Sequence, residues 1–487
     1  MEGNTELVFF IAPYIGHITQ AVELAKLMIH CDDRISITFL LVKLPAIDFE
    51  VNSFIDSLPL TSTKRLHFLH LPPVKPKPEW SAVSRGAFMT HLISHHKPNV
   101  RNFVTQRFVT DASTSPRLGG FVVDTQCTSS IVDLADEFGA PTYAFFTSGA
   151  AFLGLTLLFQ TLQDEVLKED ITSNYLKKSE LSAPCIAKPV PTSVLPVTLM
   201  DTQTWNTRFL HYARGYKKAK GIIVNTFNDL ESFAMSSLSD QGSTCYGSKP
   251  NVYPVGPIIN KIMQYGSEDI TKWLDKQPPT SVVFLCFGSM GSTQGEQVHE
   301  IADGLERSGS RFLWVLRRPP APGVTVDFPA DYTNYEDVLP KGFLDRTKET
   351  GKVVGWVPQL AVLSHRAVGG FVSHCGWNSI LESLWCGVPI GTWPLYAEQK
   401  LNAFQLVHDL GLSVEITPII NNPKLEDKAN DKVVRAEQIE KGIKNLMSDG
   451  EVRKKVAEMK EACHKALKNG GSAKVSLGNL IQDVIKG

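Results

Sequence analysis

Polar side chains are concentrated between residues 356 and 399, at the ends of two successive strand-to-helix turns. The first turn, HCGWNS, follows the apolar run GGFVS and supplies an imidazole, an amide and a hydroxyl where a helix begins. Helix N-termini carry free N–H groups and attract phosphate. The candidates for binding a diphosphate are therefore His374, Gly376, Asn378 and Ser379.

The second turn follows the run VPIGTW and delivers Glu398 and Gln399, whose acceptor and donor groups suit sugar hydroxyls. Upstream, Trp356 follows the apolar run KVVG, where an indole can stack on a flat base. Together these groups are able to hold a base, a diphosphate and a sugar.

Each of these residues also has an ordinary structural interpretation. The spacing from Ser379 to Glu382 fits a capping box, which would make Glu382 a helix cap. Equally, Trp356 could be a core indole, His374 a buried histidine with its partners, and Asn378 an N-cap. Only the joint arrangement favours a ligand site.

A histidine and an aspartate follow two other predicted strands. His17 lies in PYIGHIT after the first strand, and Asp124 ends the strand GGFVVD. The carboxyl ends of parallel strands meet at one edge, so the two side chains can approach each other. An aspartate that accepts from one ring nitrogen leaves the other free to take a proton. On the residues alone, a histidine in a turn is more often structural.

Strand-like and helix-like runs alternate along the whole chain, which predicts an α/β fold built on parallel sheets. The strand-like runs are ELVFFIAP, ISITFLLV, RLHFLHL, LGGFVVD, PTYAFFT and GIIVNTF, then SVVFLCFGS, RFLWVLRR, KVVGW, GGFVSH, GVPIGTW and LSVEI. At 487 residues the chain predicts two domains. Proline and glycine cluster between the two series, in SKPNVYPVGPIIN.

Composition excludes several classes of function. With 49 Lys and Arg against 50 Asp and Glu, no global field attracts nucleic acid or anionic lipid. The eight cysteines form no C-x-x-C pair, no Asn-x-Ser/Thr site occurs, and the first residues resemble no signal peptide, so a cytoplasmic location is expected. The segment 139–163 carries no charge, but a proline and polar residues interrupt it, which favours a buried strand and helix over a membrane span.

Metal-ligand patterns are missing from the sequence as well. No D-x-D pair occurs, and the histidines do not fall at ligand spacing. We therefore expect no metal and no other cofactor, with charge on a leaving group stabilised by a helix N-terminus and side chains. FGSMGSTQG is not a P-loop, because no Gly-Lys-Ser/Thr follows it.

The 44 residues from Trp356 to Gln399 resemble, without insertion or deletion, the signature box of plant family 1 (secondary-product) UDP-glycosyltransferases. The resemblance implies a GT-B fold, in which two Rossmann-like domains face a cleft. It implies an acceptor-binding domain over 1–247, a linker over 248–263, a UDP-sugar-binding domain over 264–468, and a C-terminal helix over 469–487 that crosses back to the first domain.

The resemblance also implies a role for each residue of the donor site. Trp356 stacks on uracil, the Val357 backbone and Gln359 bind base and ribose, and Glu382 takes the ribose hydroxyls. The diphosphate contacts are His374, Asn378 and Ser379, with Ser289 of FGSMGS as a further one; the sugar contacts are Trp377, Glu398 and Gln399. Thr147 resembles a residue that reaches a sugar hydroxyl or phosphate, with an N-cap as the equal alternative. Gln399 favours glucose as the sugar.

His17 and Asp124 match the catalytic pair of that family. The resemblance implies that His17 deprotonates an acceptor hydroxyl, that Asp124 orients it, and that attack opposite UDP inverts the anomeric carbon. The expected product is a β-O-glucoside of a small lipophilic, phenolic acceptor, made by a monomer. One departure is the absence of proline at Thr19 or Gln20, where the family often has it. The alternatives are another UDP-sugar enzyme such as an epimerase and a non-catalytic nucleotide-sugar or metabolite-binding protein.

Overall fold

Two parallel sheets covered by helices form the framework of the protein. The computed structural model describes residues 4–44, 49–77, 79–80, 83–110, 116–167, 179–200, 206–240, 242–259, 268–293, 295–320, 329–420 and 433–487. The central strands of both sheets are apolar runs that are buried on both faces, as parallel strands covered by helices require. The predicted α/β class with two parallel sheets is confirmed.

The first sheet has seven parallel strands. The strands of the first half are β1 (Thr5–Phe10), β2 (Ile35–Leu41), β3 (Leu66–His70), β4 (Arg117–Asp124), β5 (Thr142–Phe146), β6 (Glu180–Leu181), β7 (Val190–Pro191), β8 (Gly221–Val224) and β9 (Asn251–Pro254). The sheet order is β3-β2-β1-β4-β5-β8-β9, while β6 and β7 form a separate antiparallel hairpin.

The second sheet has six parallel strands. The strands of the second half are β10 (Val282–Cys286), β11 (Arg311–Val315), β12 (Arg317–Arg318), β13 (Ala330–Asp331), β14 (Gly351–Val354), β15 (Val368–Ser373), β16 (Ile390–Thr392) and β17 (Ser413–Glu415). The sheet order is β14-β11-β10-β15-β16-β17, and β12 pairs antiparallel with β13.

The helices lie between these strands in the sequence, except for the last three, which follow β17. In the first half they are α1 (Ile15–Cys31), α2 (Phe49–Ser57), α3 (Arg85–His95), α4 (Lys97–Val104), α5 (Thr125–Glu137), α6 (Ala150–Thr161), α7 (Val197–Met200), α8 (Asn206–Lys218) and α9 (Ser232–Ser239). In the second half they are α10 (Glu268–Asp275), α11 (Glu296–Ser308), α12 (Phe343–Thr347), α13 (Gln359–Leu363), α14 (Trp377–Cys386), α15 (Gln399–Phe404), α16 (Ala436–Ser448), α17 (Gly450–Ala466) and α18 (Ser472–Lys486).

Strand order reverses once in each sheet. In the first sheet the chain runs outward from β1 to β3 and then returns to the other side of β1 with β4. In the second sheet it runs from β10 outward to β14 and returns beside β10 with β15. Connections leave such neighbouring strands in opposite directions, and a crevice opens at their carboxyl ends. The loops after β1, β4, β10 and β15 therefore border the two crevices.

The charge-free segment 139–163 forms strand β5 and helix α6, as predicted. All twelve residues of α6 are buried, because the helix lies inside the largest apolar cluster of the protein. A helix that is apolar on all sides is expected in such a position. Among the described residues, no helix combines the length and the apolar character needed to cross a bilayer.

Strand β9 lies within the segment 248–263, which the sequence analysis assigned to an interdomain linker. Its residues pair in parallel with β8 at the edge of the first sheet. The proline and glycine content of the segment concealed a four-residue edge strand, a position where proline is tolerated. Residues 260–263 of the proposed linker lie outside the described residues.

The last helix, α18, packs against the first sheet although it follows the helices of the second half. Its buried face joins the apolar cluster that also contains β1, β2 and β4. Arg117, the first residue of β4, donates to the carbonyl oxygens of Val484 and Ile485 at 2.8 Å each. The guanidinium therefore caps the C-terminal end of the helix, where carbonyl groups have no helical partner.

Replacing Leu480 by Ala should weaken this docking. Leu480 is fully buried in the cluster beneath α18, and loss of a buried leucine leaves a cavity that costs about 2–5 kcal/mol. Val475→Ala on the same helix is the control, because Val475 is 52% exposed. Hydrogen exchange of residues 472–486 should accelerate in the first variant only. Equal exchange in both variants would contradict the packing of α18 described above.

Candidate active site

His17 and Asp124 form a hydrogen-bonded pair at the reversal point of the first sheet. The His17 Nδ1 lies 2.7 Å from Asp124 Oδ2, although 107 positions separate the residues. His17 belongs to the first turn of α1, which begins at Ile15. Asp124 ends β4 and is fully buried. A carboxylate only accepts, so Nδ1 donates to it and Nε2 keeps its lone pair for a proton.

Backbone groups fix the Asp124 carboxylate from two sides. Its Oδ1 accepts from the Cys127 N–H at 3.1 Å, which makes Asp124 the N-cap of α5. Its Oδ2 accepts from the Ala12 N–H at 3.3 Å as well as from His17. The carboxylate is thus held by the strand and helix ends that meet at the reversal point, and it holds the imidazole in turn.

A cavity of about 750 Å³ opens beside His17, whose side chain is 27% exposed. Its wall on the side of the first sheet is largely apolar and aromatic. The residues on that side include Tyr14, Ile15, Val51, Gln126, Phe146, Phe152, Phe209 and Tyr212. Burial raises the pKa of Tyr14 to about 12, so its phenol stays a hydrogen-bond donor at neutral pH. The sequence analysis missed these wall residues; only the proximity of Tyr14 to His17 in the same turn signals one of them.

The opposite wall of the cavity comes from the second half of the chain. Three residues proposed from the sequence lie there: Ser289, Trp356 and Glu398. Trp356 is 41% exposed, so the interpretation of this indole as a core residue is wrong. Its backbone N–H donates to Asp331 Oδ1 at 3.0 Å, and the residue lines the cavity. The Val357 side chain next to it is buried, at 4% exposure.

Gln359, Ser379 and Glu382 form one hydrogen-bonded group behind Trp356. The Gln359 Nε2 donates to Glu382 Oε2 at 2.8 Å and to Ser379 Oγ at 3.0 Å. The capping-box interpretation is wrong, because α14 begins at Trp377 with Gly376 as N-cap. Burial raises the pKa of the Glu382 carboxyl to about 7, against the opposing hydrogen bond from Gln359.

His374 lies in the loop after β15 with its ring between two glycines. A Cβ on Gly288 would lie 2.7 Å from the ring, and one on Gly376 would lie 2.4 Å from Nε2. Burial lowers the pKa of His374 to about 4, so the ring is neutral at pH 7. Within the described part of the chain its buried Nδ1 has no hydrogen-bond partner. A buried polar atom without a partner is costly, and a ligand that binds there removes the cost.

Asn378 connects the start of α14 to the turn that carries His17. Its Nδ2 donates to the carbonyl oxygen of Gly16 at 3.3 Å, next to His17. Its Oδ1 is buried and finds no partner among the described residues. The N-cap interpretation of Asn378 is wrong, because Gly376 occupies that position without a side-chain bond.

Thr147 and Ser148 end the loop after β5 and reach the cavity. Ser148 Oγ donates to Glu398 Oε1 at 2.8 Å, across the two halves of the chain. Burial raises the pKa of Glu398, and the bond from Ser148 opposes this shift. The N-cap alternative for Thr147 is wrong: Gly149 is the N-cap of α6, and Glu231 accepts from the first two N–H groups of that helix instead.

Trp377 and Gln399, two of the proposed sugar contacts, have side-chain atoms that form hydrogen bonds with other residues of the protein. Trp377 is 6% exposed, and its Nε1 donates to the carbonyl oxygen of Asn225 at 2.7 Å. Gln399 Oε1 accepts from the N–H groups of Leu395 and Tyr396 at 2.8 and 3.0 Å. The Gln399 side chain also forms a hydrogen bond with the Tyr396 side chain. The backbone N–H of Trp377, at the start of α14, has no intrahelical acceptor and remains for a ligand.

The polar groups of the site are distributed in a way that suits a diphosphate and a sugar. Near the start of α14, the buried His374 Nδ1 and Asn378 Oδ1 have no hydrogen-bond partner within the described residues. The carboxyl groups of the site belong to Glu382 and Glu398. No three His, Cys, Asp or Glu side chains of the described ranges come together as ligands for a metal ion. The arrangement combines a potential general base, an apolar cavity and an anion-binding helix N-terminus.

Comparison with known proteins identifies relatives over the whole length of the chain. The family model "UDP-glucoronosyl and UDP-glucosyl transferase" matches residues 245–448. UDP-glycosyltransferase 71A15 of Malus domestica is 47% identical over 99% of this chain and 100% of its own. UDP-glucose flavonoid 3-O-glucosyltransferase 6 of Fragaria ananassa is 46% identical over 99% of each chain.

A solved structure gives the same result for the fold. Medicago truncatula UGT71G1, crystallised in complex with UDP-glucose, superimposes with a TM-score of 0.83 at 38% identity, over 99% of this chain and 98% of that one. The two sheets, their paired reversal points and the cavity between them are therefore a GT-B arrangement. The chain belongs to the plant family 1 UDP-glycosyltransferases.

Proposed function

We propose that this protein transfers glucose from UDP-glucose to a hydroxyl group of a small apolar, phenolic acceptor, with inversion at the anomeric carbon. The observation that carries the proposal is the His17–Asp124 pair, which opens onto a cavity walled by both halves of the chain. A base that faces such a cavity can reach an acceptor on one side and a donor on the other. The relatives named for glucosyl transfer and crystallised with UDP-glucose support the choice of donor.

The donor lies along the second half of the cleft. Uracil stacks on Trp356, and the group formed by Gln359 and Glu382 binds the ribose hydroxyls. The diphosphate lies at the N-terminus of α14, where the helix dipole favours negative charge. His374 donates from Nδ1 as a neutral imidazole, and Ser379 and Ser289 add hydroxyl donors.

The sugar lies between the two halves of the protein. Glu398 accepts from its hydroxyls while Ser148 holds the carboxylate in place. The Gln399 amide and the Trp377 backbone N–H donate to it, and Thr147 borders it from the first half. Because Glu398 is bonded across the cleft, the sugar site is complete only when both halves are together.

Proton transfer drives the chemical step. His17 Nε2 takes the proton of the acceptor hydroxyl as its oxygen attacks the anomeric carbon, and Asp124 stabilises the resulting imidazolium. The bond to UDP breaks on the opposite face, so the configuration changes from α to β. The negative charge that develops on UDP is stabilised by the start of α14 and the surrounding donors. We propose that no metal ion takes part.

The apolar wall around Phe146, Phe152 and Phe209 selects a flat, lipophilic acceptor. Tyr14 and Gln126 are two polar residues of that wall that can orient a second hydroxyl. We propose the acceptor side to be residues 1–247 and the donor side residues 264–468. One chain supplies both sides, so a monomer suffices. The eight cysteines are free thiols, which suits a cytoplasmic protein.

Release of UDP in the presence of acceptors tests this function directly. The purified protein is incubated with UDP-glucose, UDP-galactose or UDP-glucuronate and a panel of phenolic, flavonoid and terpenoid alcohols. We expect acceptor-dependent UDP release with UDP-glucose above all, and a β-linked product by NMR coupling constant. Tight UDP binding without release from any pair would instead indicate a nucleotide-sugar-binding protein.

Replacing His17 by Ala should lower the turnover number about a hundredfold or more, because general-base catalysis is lost. The affinity for UDP, measured by calorimetry, should stay unchanged, since His17 contacts the acceptor. His299→Ala is the matched control, because His299 lies exposed on α11, remote from the cavity. Unchanged turnover in the His17 variant would refute its role as base.

Replacing Glu382 by Gln should separate stability from donor binding. The folded-state pKa of Glu382 is about 7, above the ordinary value of 4.5. The wild type therefore loses stability as the pH rises from about 4.5 through 7, by at most about 3 kcal/mol, because the buried carboxyl ionises. A neutral glutamine avoids this loss, so the variant should be the more stable protein at pH 8.5 and equal at pH 4.5.

The same variant should bind UDP about tenfold more weakly, since an amide accepts from the ribose hydroxyls less strongly than a carboxylate does. Thermal midpoints at the two pH values and UDP titrations give both quantities. Glu458→Gln, at an exposed position of α17, controls for loss of charge alone. Parallel pH profiles for wild type and Glu382→Gln would contradict the burial effect, and unchanged UDP affinity would contradict the ribose contact.

A further inference from the structure

Asn225 lies at the point where three distant parts of the chain meet. It follows β8 directly and is fully buried. Its Oδ1 accepts from the N–H of Ile258 at 2.7 Å, and its Nδ2 lies 3.4 Å from the carbonyl oxygen of the same residue. This reciprocal pair fixes the segment that leads from the first sheet toward the second half of the chain.

The same amide reaches the helix that carries the proposed base. Asn225 Nδ2 donates to Gln20 Oε1 at 3.0 Å. Gln20 is 1% exposed and lies in α1, three residues after His17. It occupies one of the two positions at which the sequence departs from the proline frequent in the family. A proline there could not make this bond, because it has no amide side chain.

The backbone of Asn225 reaches the donor helix. Its carbonyl oxygen accepts from Trp377 Nε1 at 2.7 Å, and Trp377 is the first residue of α14. The far edge of the indole lies against Gly149, where an added Cβ would come within 2.9 Å of the ring. The indole is therefore held on two sides by residues of the first half.

The space around Asn225 is closely filled. An added Cβ on Gly256 would lie 2.6 Å from Asn225 Oδ1 and 2.7 Å from the Thr226 nitrogen. The N–H of Gly256 also donates to the Thr226 carbonyl oxygen at 2.7 Å. Small displacements of Asn225 are therefore transmitted to its partners, because packed interiors have little free volume.

From this geometry we infer that Asn225 is a positioning residue, which sets the distance between the base on α1 and the donor on α14. The inference rests on the proposed transfer reaction and deepens it. Through one amide and one carbonyl group, Asn225 fixes Gln20, the segment at Ile258 and Trp377 relative to one another. It contacts neither the acceptor nor the donor, and it acts through the alignment of the groups that do.

The test compares Asn225→Ala, Gln20→Leu and the double variant with wild type. Active sites are counted by UDP binding stoichiometry, and turnover of UDP-glucose with the flavonol quercetin is expressed per UDP-binding site. Each single variant should lose about tenfold or more in turnover per site, because misalignment of a base by a fraction of an ångström is costly. UDP affinity should stay within about twofold. The double variant should be no slower than Asn225→Ala, because both substitutions remove the same hydrogen bond between Asn225 and Gln20.

A purely structural role predicts a different outcome: fewer UDP-binding sites with unchanged turnover at each remaining site. That outcome, or losses that add in the double variant, would overturn the inference. Gln160→Leu is the matched control, because Gln160 is also a buried helical glutamine, at 4% exposure, and is bonded only to Asp164 among the described contacts. If Asn225→Ala fails to fold, Trp377→Phe removes the Nε1 donor while retaining the ring, and the same loss per site is expected.

Hydrogen exchange separates this inference from the proposed function. UDP binding to wild type should slow amide exchange in residues 15–20 of α1, and Asn225→Ala should abolish that effect. This measurement needs no acceptor and no transfer. Absence of transfer by the wild type with every acceptor would refute the proposed function alone, whereas an unchanged UDP effect in Asn225→Ala would refute the positioning role.

Discussion

The reversal of strand order in each parallel sheet is the constraint on which the site depends. Neighbouring parallel strands have their carboxyl ends at one edge, and at a reversal the two connecting segments leave in opposite directions. In the first sheet this brings His17 and Asp124 to a 2.7 Å contact between β1 and β4. In the second sheet it places Ser289 and the loop of His374 after the adjacent strands β10 and β15. The cavity lies where the two crevices face each other.

The second half of the chain places buried polar groups beside that cavity, and their burial costs free energy of folding. His374 is held neutral between Gly288 and Gly376, with a nitrogen that has no partner within the described residues. Glu382 is buried, and among the described residues only the Gln359 amide is bonded to its carboxyl group. Each arrangement costs stability in the free protein and is relieved when a ligand supplies the missing partner. The cost explains why such groups gather at a binding site and rarely in an ordinary core.

Several hydrogen bonds between the two halves lie close to the candidate active site. Asn378 bonds to Gly16, Ser148 to Glu398, and Trp377 to Asn225. Each pair joins a residue of the second half to a loop of the first sheet, so the alignment of the proposed base with the proposed donor site depends on these hydrogen bonds. Helix α18 returns to the first sheet and adds an apolar contact outside the candidate active site. The polar contacts thus orient the two halves at the cleft, while the apolar contact of α18 stabilises their association.

The sequence by itself predicted the strands of both sheets except β9, because apolar periodicity and turn chemistry act over short distances. Together with the resemblance to the family, it also supplied the candidate site residues, but not the aromatic wall of the cavity. It placed His17, Asp124 and the residues of the 356–399 segment at strand ends. A short sequence pattern gave a wrong prediction where it fits two structures. The S-x-x-E spacing of Ser379 and Glu382 is that of a capping box, yet α14 already begins at Trp377, two residues before Ser379.

Only the tertiary structure decided which partners distant groups choose. Glu231 caps α6 from 80 residues away, and Asn225 joins Gln20 to Trp377 across 205 and 152 positions. Neither residue stands out in the sequence, because a buried amide or carboxyl group is defined by the atoms that packing brings to it. Secondary structure follows from neighbours along the chain, whereas the alignment of base and donor follows from neighbours in space.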